Sequence, residues 1–131
     1  MKNLQADYLY ADLTYKIIGI AMSIHTELGP VHKEIVYHNA LKKEFILQHI
    51  PFASEKIIPV KYKGEQVGTY KPDFVIDDKV VVEIKALNFL PQSSEAQLSY
   101  YIKGSGYKIG LLFNFGEKHL QVKRRIYDRV I

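Results

Sequence analysis

The stretch PDFVIDDKVVVEIKA, residues 72–86, contains the features from which the fold and the site can be argued. Its apolar runs are typical of two buried strands, and Asp77-Asp78 marks the turn between them. Glu83 and Lys85 stand two residues apart, so their side chains point to the same face of the second strand. Buried charges are costly unless they are paired or hold a metal. Two opposite charges on so apolar a strand therefore predict a functional site.

The length of this turn decides whether Asp73 can join Glu83. A plain two-residue turn would pair Asp73 with Val82 and place the two acids on opposite faces of the sheet. For both acids to bind one metal, the turn must contain an odd number of residues, or a bulge must shift the register by one. Pro72 has no N–H to give to a strand ladder, which favours a local break beside it. We therefore predict that this hairpin is irregular.

Helices and strands are expected on both sides of the hairpin. Apolar residues three and four apart predict a first helix, with Asp7 or Asp12 as its cap and Gly29-Pro30 as its end. A second helix is expected over residues 33–48. Three strands are then expected, over residues 55–62, 66–76 and 79–86, and the second of them is interrupted near Pro72. A third helix is expected over residues 94–103, with Ser93 or Ser94 as its N-cap. Two further strands are expected over residues 108–115 and 119–127.

This order predicts an α/β (α+β) fold, in which a hairpin meander and a crossover helix give a mixed central sheet with helices on both faces. The length of 131 residues suits one core, so we expect residues 1–131 to form a single domain. The absence of cysteine excludes disulfides and thiolate zinc sites. No apolar run approaches the roughly 20 residues of a membrane span, and no signal-peptide core follows the N-terminus. We expect a cytoplasmic protein without a membrane partner.

The acids and the lysine suit the hydrolysis of phosphodiester bonds. That reaction needs neutralisation of the phosphate charge, an activated water and help for the departing oxygen, and Mg²⁺ or Mn²⁺ can supply most of this. One or two carboxylates are enough to hold Mg²⁺, so Asp73 and Glu83 are the expected ligands. The backbone carbonyl of Ile84 could add a third oxygen. Lys85 would orient or deprotonate the attacking water and offset charge on the phosphate.

Several motifs of the chain match those of a known family. They are Pro72-Asp73, then Glu83-Ile84-Lys85 ten residues after Asp73, then Gln97 and Tyr101 on the third predicted helix, and Glu34 on the second. The first two resemble the signature of the PD-(D/E)XK nuclease superfamily. The pair on the third helix resembles the Gln-x-x-x-Tyr motif of its lambda-exonuclease-like branch, and the superfamily often has an acid on an upstream helix. The resemblance implies a restriction-endonuclease-like αβββαβ core, here with an extra N-terminal helix.

A longer pattern resembles the small bacterial GxxExxY proteins of that superfamily. Its segments are Leu28-Gly29-Pro30, Glu34-Ile35-Val36-Tyr37, Ala40-Leu41, residues 60–64 and residues 110–116. The resemblance spans about residues 17–126 and implies a stand-alone nuclease-like domain. One position departs from the pattern, because Val31 stands where the motif that names the family has its first glycine.

For each of three supporting residues, a purely structural explanation stands beside the functional role that the resemblance implies. Glu34 is either a metal ligand, directly or through water, or an acid favoured by the dipole at the start of its helix. Gln97 and Tyr101 lie four apart, so they share one helix face. If they support the site, Gln97 holds water or a phosphate and Tyr101 makes a hydrogen bond there. If they do not, Gln97 is a surface residue and Tyr101 a core residue beside it. Tyr37 is expected to pack inside with a partner for its hydroxyl.

A basic stretch near the C-terminus has two readings as well. Its residues are Lys118, Lys123, Arg124, Arg125 and Arg129. It could follow the phosphate backbone of a nucleic acid, for which Lys123, Arg124 and Arg125 are the candidate contacts. It could equally be a solvated strand edge guarded by charge.

The sequence thus predicts a metal-dependent nuclease that acts on DNA. Its proposed catalytic residues are Asp73, Glu83, Lys85, Gln97 and Tyr101, and its proposed metal ligands are Glu34, Asp73, Glu83 and Ile84. The alternative is a non-catalytic module of the same fold that binds nucleic acid or a protein partner. The choice between DNA and RNA and the existence of a homodimer stay open at this point.

Overall fold

The computed structural model describes residues 9–127, and within this range two helices are followed by five strands, a third helix and two strands. The elements are α1 (Ala11–Leu28), α2 (Glu34–Leu47), β1 (Phe52–Ser54), β2 (Ile58–Tyr62), β3 (Glu65–Tyr70), β4 (Phe74–Ile76), β5 (Val80–Lys85), α3 (Gln92–Ser105), β6 (Ile109–Asn114) and β7 (Gln121–Ile126). None of the helices in these residues has the length and apolar character that crossing a membrane requires.

The central sheet has the mixed topology that the sequence predicts. Its strand order is β1-β4-β5-β6-β7. Strands β5 and β6 are parallel, whereas β1–β4, β4–β5 and β6–β7 are antiparallel pairs. Parallel neighbours need a crossover connection, and α3 provides it between β5 and β6. Strands β2 and β3 pair only with each other within the described residues and form a separate two-stranded ribbon.

Both faces of the sheet are covered, as expected. Helices α1 and α2 pack on one face, in a core whose sheet residues include Phe74, Ile76, Val82, Ile84 and Phe113. The other face is shared between two smaller clusters. In one, Val75 and Val81 pack against the base of the ribbon. In the other, Leu112 packs against Leu98 and Ile102 of α3. The end of β5 therefore lies between the ribbon and α3.

The middle of the chain differs from the predicted meander of three strands. The strand expected over residues 55–62 begins only at Ile58, and β1 was not predicted. Glu55 separates the two with a positive φ of 55°, and its N–H donates to the Asp73 carbonyl at 3.1 Å. The strand expected over residues 66–76 is two strands in two different sheets, β3 and β4. The break falls at Pro72 as predicted, but it redirects the chain from the ribbon into the central sheet.

The turn between β4 and β5 has the odd length that a shared acid site requires. Ile76 pairs with Val80, so the turn contains three residues, and the Lys79 N–H donates to the Ile76 carbonyl at 2.9 Å. Asp77 and Asp78 both adopt a positive φ of 51° there. Acidic and amide side chains tolerate this left-handed region better than most non-glycine residues. The predicted irregularity is therefore confirmed.

The predicted helix caps are wrong. Asp7 lies outside the described residues, and α1 has Tyr10 as its N-cap residue, so Asp12 lies within the first turn. Helix α3 begins at Gln92, before both candidate serines, and Pro91 is its N-cap residue. The first turn of α3 closes with a hydrogen bond from Ser94 N–H to the Pro91 carbonyl at 3.0 Å. Neither N-cap residue makes a side-chain capping bond.

Tyr37 is a packing residue, as expected. It is fully buried and its ring stacks on Phe115 with 4.5 Å between the ring centroids. Its hydroxyl donates to the Gly29 carbonyl at 2.5 Å and accepts from the His32 N–H at 3.2 Å. These bonds fix the connection between α1 and α2, and with it the start of α2 where Glu34 lies.

Asn114 holds the chain that leaves β5. It is fully buried at the end of β6, and its Oδ1 accepts from the Leu87 N–H at 2.9 Å. Its Nδ2 donates to the Leu87 carbonyl at 2.9 Å and to Glu117 Oε2 at 2.8 Å. The segment that follows Lys85 is thereby fastened to the neighbouring strand, which limits how far Lys85 can move.

We predict that Asn114→Asp lowers the free energy of unfolding by about 2–4 kcal/mol. The substitution removes both donated bonds and sets a carboxylate against the Leu87 carbonyl and the Glu117 carboxylate. Urea unfolding at neutral pH measures the change. Asn39→Asp, which makes the same chemical change on an exposed residue of α2, is the control and should stay within about 0.5 kcal/mol of wild type. Equal losses in the two variants would contradict this account of Asn114.

Candidate active site

Two adjacent strands bring Asp73, Glu83 and Lys85 to one face of the sheet. Phe74 pairs with Val82, so continuing the register by one residue places Asp73 opposite Glu83. Glu83 and Lys85 alternate with buried residues of β5 and are themselves half-buried. All three side chains thus lie on the face that carries the ribbon and α3, at the end of β5.

The carboxylate of Asp73 is held by the backbone of β5. Its Oδ2 accepts a hydrogen bond from the Ile84 N–H at 2.7 Å. The N–H and C=O of one strand residue point to the same side, so the Ile84 carbonyl faces the side from which Asp73 approaches. The Lys85 carbonyl points the other way and accepts from the Phe115 N–H at 2.8 Å. Backbone oxygen of Ile84 is therefore available near the two acids.

Glu83 is held by a residue of the ribbon. The Tyr70 hydroxyl donates to Glu83 Oε1 at 2.5 Å. The pKa of Glu83 is raised to about 7, with burial as the largest cause, and the nearby charge of Asp73 acts in the same direction. The Tyr70 hydrogen bond and the Lys85 charge act in the opposite direction on this pKa. Burial and the neighbouring carboxylate thus make the negative charge of Glu83 unfavourable unless a positive charge lies nearby.

Lys85 lies close enough to two acids to act on both. Its positive charge lowers the pKa of Glu83 and that of Glu34, against the larger effect of burial in each case. Because Lys85 follows Glu83 by two residues on β5, both side chains stand on the same face. Lys85 therefore places a positive charge beside the two acids, as the sequence predicts.

Glu34 reaches the same neighbourhood from the first residue of α2. Partial burial of its carboxyl group raises its pKa, and the charge of Asp73 raises it further. Lys85 and His38 lower it. Yet no three His, Asp or Glu side chains in residues 9–127 form a group that could hold a metal ion. Glu34 is thus an electrostatic neighbour of Asp73 and Glu83 without completing a three-carboxylate cluster.

The residues that meet here fit a divalent cation. Two carboxylates face each other in a half-buried place, and their mutual repulsion is one cause of the raised pKa of Glu83. Each has one oxygen engaged by a donor, Asp73 by the Ile84 N–H and Glu83 by the Tyr70 hydroxyl. Mg²⁺ is commonly held by one or two carboxylates together with water and backbone oxygen.

Tyr101 joins the site through a second tyrosine, and Gln97 remains at the surface. The Tyr101 ring is stacked on the Tyr70 ring, with 4.3 Å between centroids and 10° between planes. Tyr101 is 44% exposed, so it is not the core tyrosine of the structural alternative. Gln97 is exposed, and its side chain makes no hydrogen bond to the described part of the chain. The structure thus links Tyr101, but not Gln97, to the acids.

Sequence reasoning missed Tyr70 and His38. Tyr70 ends β3 in a different sheet from Glu83, so no periodicity within one strand indicates that they meet. His38 follows Glu34 by four residues, a spacing that places both on one face of α2 and could have been used. Its ring stacks on Phe74 at 4.4 Å, and its buried Nδ1 has no partner among residues 9–127.

The basic stretch of β7 is divided between the two faces of the sheet. Lys123 pairs with Leu112, on the face of Glu83, and Arg125 lies on that face too and forms an ion pair with Glu95 at 2.8 Å. Arg124 faces the opposite side and donates to the Leu9 carbonyl at 3.0 Å. The three candidate contacts therefore do not form one continuous track. Arg129 lies outside the described residues.

Comparisons with known proteins identify the family. Residues 11–126 match the model of the PD-(D/E)XK nuclease superfamily. No curated protein matches the chain at a significant level. Among solved structures, an alkaline exonuclease from Laribacter hongkongensis is similar, with a TM-score of 0.49 and 12% sequence identity. That similarity covers 66% of this chain and 52% of the exonuclease, so the chain spans about half of the exonuclease's length. Because the family match takes in nearly every described residue, the chain belongs to the PD-(D/E)XK nuclease superfamily.

Proposed function

We propose that this protein is a metal-dependent nuclease that hydrolyses phosphodiester bonds in DNA. The observation that carries the proposal is the convergence of Asp73, Glu83 and Lys85 on one face at the end of β5. Family membership supports the same reaction class. Within the superfamily we propose the GxxExxY group, on the residues quoted from the sequence.

In this proposal Asp73 and Glu83 hold Mg²⁺ or Mn²⁺, with the Ile84 carbonyl as a backbone ligand and Glu34 acting through water. A divalent cation held there would neutralise phosphate charge and lower the pKa of water. Its positive charge would also offset the repulsion between Asp73 and Glu83.

The remaining residues act on the substrate or on water molecules beside it. Lys85 Nζ donates to a phosphate oxygen and offsets the charge that develops during cleavage. Glu34, with its raised pKa, accepts or returns a proton of the water molecules at the site. Lys123 and Arg125, on the same face as Glu83, contact the phosphate backbone farther from the cleaved bond. Gln97 extends from α3 toward the same substrate and contacts it through water.

We predict that Glu83→Gln and Lys85→Ala each lower the rate of DNA cleavage in Mg²⁺ by about 10²-fold or more. The first weakens the metal site, and the second removes the charge beside it. Cleavage of labelled single- and double-stranded DNA, and of RNA of the same sequence, measures the rates. Glu27→Gln and Lys42→Ala, on the exposed surface of α1 and α2, are the matched controls and should keep wild-type rates.

Equal activity in the wild type, both site variants and both controls would show that cleavage comes from elsewhere. A wild type that binds DNA and Mn²⁺ but cleaves no substrate would favour the alternative function, a binding module of the nuclease fold. Faster cleavage of RNA than of DNA would overturn the choice of substrate alone.

We predict that the metal-free protein becomes less stable, relative to its Glu83→Gln variant, as the pH rises. The pKa of Glu83 is about 7 in the folded chain against an ordinary 4.5, so the folded state binds its proton more tightly than the unfolded state does. That stabilisation is present below pH 4.5 and is lost as the pH rises through 7. The full change is at most about 3 kcal/mol, from 1.36 kcal/mol for each unit of pKa.

Urea unfolding with EDTA at pH 5 and pH 8 measures this difference. The stability of Glu83→Gln relative to wild type should rise between the two pH values, and adding Mg²⁺ at pH 8 should stabilise the wild type but not the variant. Glu27→Gln should show neither effect. A Glu83→Gln effect that is the same at both pH values would contradict the raised pKa of Glu83.

A further inference from the structure

Tyr70 makes a contact that the roles proposed above do not use. It is the last residue of β3, at the base of the ribbon, and its hydroxyl donates to Glu83 Oε1 at 2.5 Å. Within residues 9–127 the strands of the ribbon pair with each other and not with a strand of the central sheet. The Tyr70 hydroxyl therefore ties an element outside that sheet to an acid at the end of β5.

The ring of Tyr70 is fixed on the protein. It is 8% exposed and packs in a cluster with Ile58, Val75 and Val81. It also stacks on Tyr101 of α3 in a nearly parallel arrangement. Buried side chains in such close packing keep one orientation. The hydroxyl is therefore a preorganised donor whose direction depends on both the ribbon and α3.

A neutral donor is the kind of group that a metal-binding carboxylate needs at its second oxygen. A tyrosine hydroxyl carries its proton near neutral pH and can donate it in a hydrogen bond. It stabilises the Glu83 carboxylate without adding a positive charge that would repel a cation. The Ile84 N–H does the same for Asp73. Each acid thus has one oxygen held by a donor of the protein, and its second oxygen is the one that a cation would contact.

We propose that Tyr70 is a positioning residue that holds Glu83 Oε1 so that the other oxygen of Glu83 is presented to a divalent cation together with Asp73. We further infer that Tyr101 acts on the site through the Tyr70 ring. This inference rests on the proposed function, since it concerns the metal ligands of the same site. Partners of this type change metal affinity or activity by about 10–100-fold when they are removed.

The test uses Tyr70→Phe, which keeps the ring and its stack but removes the hydroxyl. We expect Mn²⁺ affinity, measured by titration calorimetry without substrate, to fall by about 10–100-fold. In the cleavage assay kcat should fall while KM for the oligonucleotide stays within about twofold, because the lost hydrogen bond is made to Glu83 and not to the substrate. Thermal unfolding in EDTA reports whether the variant is folded.

Two further variants separate this role from general packing. Tyr107→Phe removes another tyrosine hydroxyl that donates to a carboxylate, Asp78 Oδ1 at 2.7 Å, in the turn that precedes β5. It should leave Mn²⁺ affinity and kcat at wild-type values, because Glu83 lies near the other end of β5. Tyr101→Ala removes the stacked ring from a partly exposed position of α3, so it tests the coupling even if Tyr70→Phe does not fold. It should weaken Mn²⁺ binding, by less than Tyr70→Phe does.

The outcomes are distinguishable. Wild-type protein that binds Mn²⁺ and cleaves DNA, with a Tyr70→Phe variant of equal affinity and kcat, would overturn the positioning role and leave the proposed function intact. Wild-type affinity in Tyr101→Ala would overturn the coupling through the ring. A wild type that neither binds Mn²⁺ nor cleaves would remove the proposed function, and this inference with it.

Discussion

The three-residue turn between β4 and β5 is the constraint on which the site depends. With Ile76 opposite Val80, Asp73 falls opposite Glu83 on one face. A turn one residue shorter would send every side chain of β4, and Asp73 before it, to the other face. The turn accepts two aspartates in the left-handed region to achieve this length. The backbone at the opposite end of the β4–β5 pair therefore determines whether the two acids can act together.

Holding two carboxylates together is unfavourable without a cation, and the surrounding structure is arranged to tolerate it. Ile84 and Tyr70 each hold one carboxylate oxygen, and Lys85 offsets part of the negative charge. These three groups come from the backbone of β5, from the ribbon and from a side chain of β5. The ribbon and α3, which meet in the stack of Tyr70 on Tyr101, are thus part of the site as well as of the fold.

Much of this could be predicted from the sequence, because periodicity within one element is a local property. The helices α1, α2 and α3, the buried strands β5 and β6, and the common face of Glu83 and Lys85 all follow from spacing along the chain. The odd number of residues in the turn could be predicted as well, although only by requiring the two acids to bind the same metal ion. The match of residues 11–126 to the superfamily confirms the resemblance at that level.

What could not be predicted depends on contacts between elements distant in sequence. The strand expected over residues 66–76 divides between two sheets at Pro72. Before this break β3 pairs with β2, and after it β4 pairs with β1 in the central sheet. Tyr70 can contact Glu83 only because β3 belongs to the ribbon and not to the central sheet. The predicted caps of α1 and α3 are wrong because the helices begin at Ala11 and Gln92, with Tyr10 and Pro91 as their N-cap residues.

The most direct measurement of the central claim is an anomalous difference map from a crystal of the wild-type protein soaked in Mn²⁺. We predict one peak between the carboxylates of Asp73 and Glu83, on the side of the Ile84 carbonyl, with Tyr70 still hydrogen-bonded to Glu83 Oε1. A map without density at that place, while Mn²⁺ binds elsewhere on the same molecule, would contradict it.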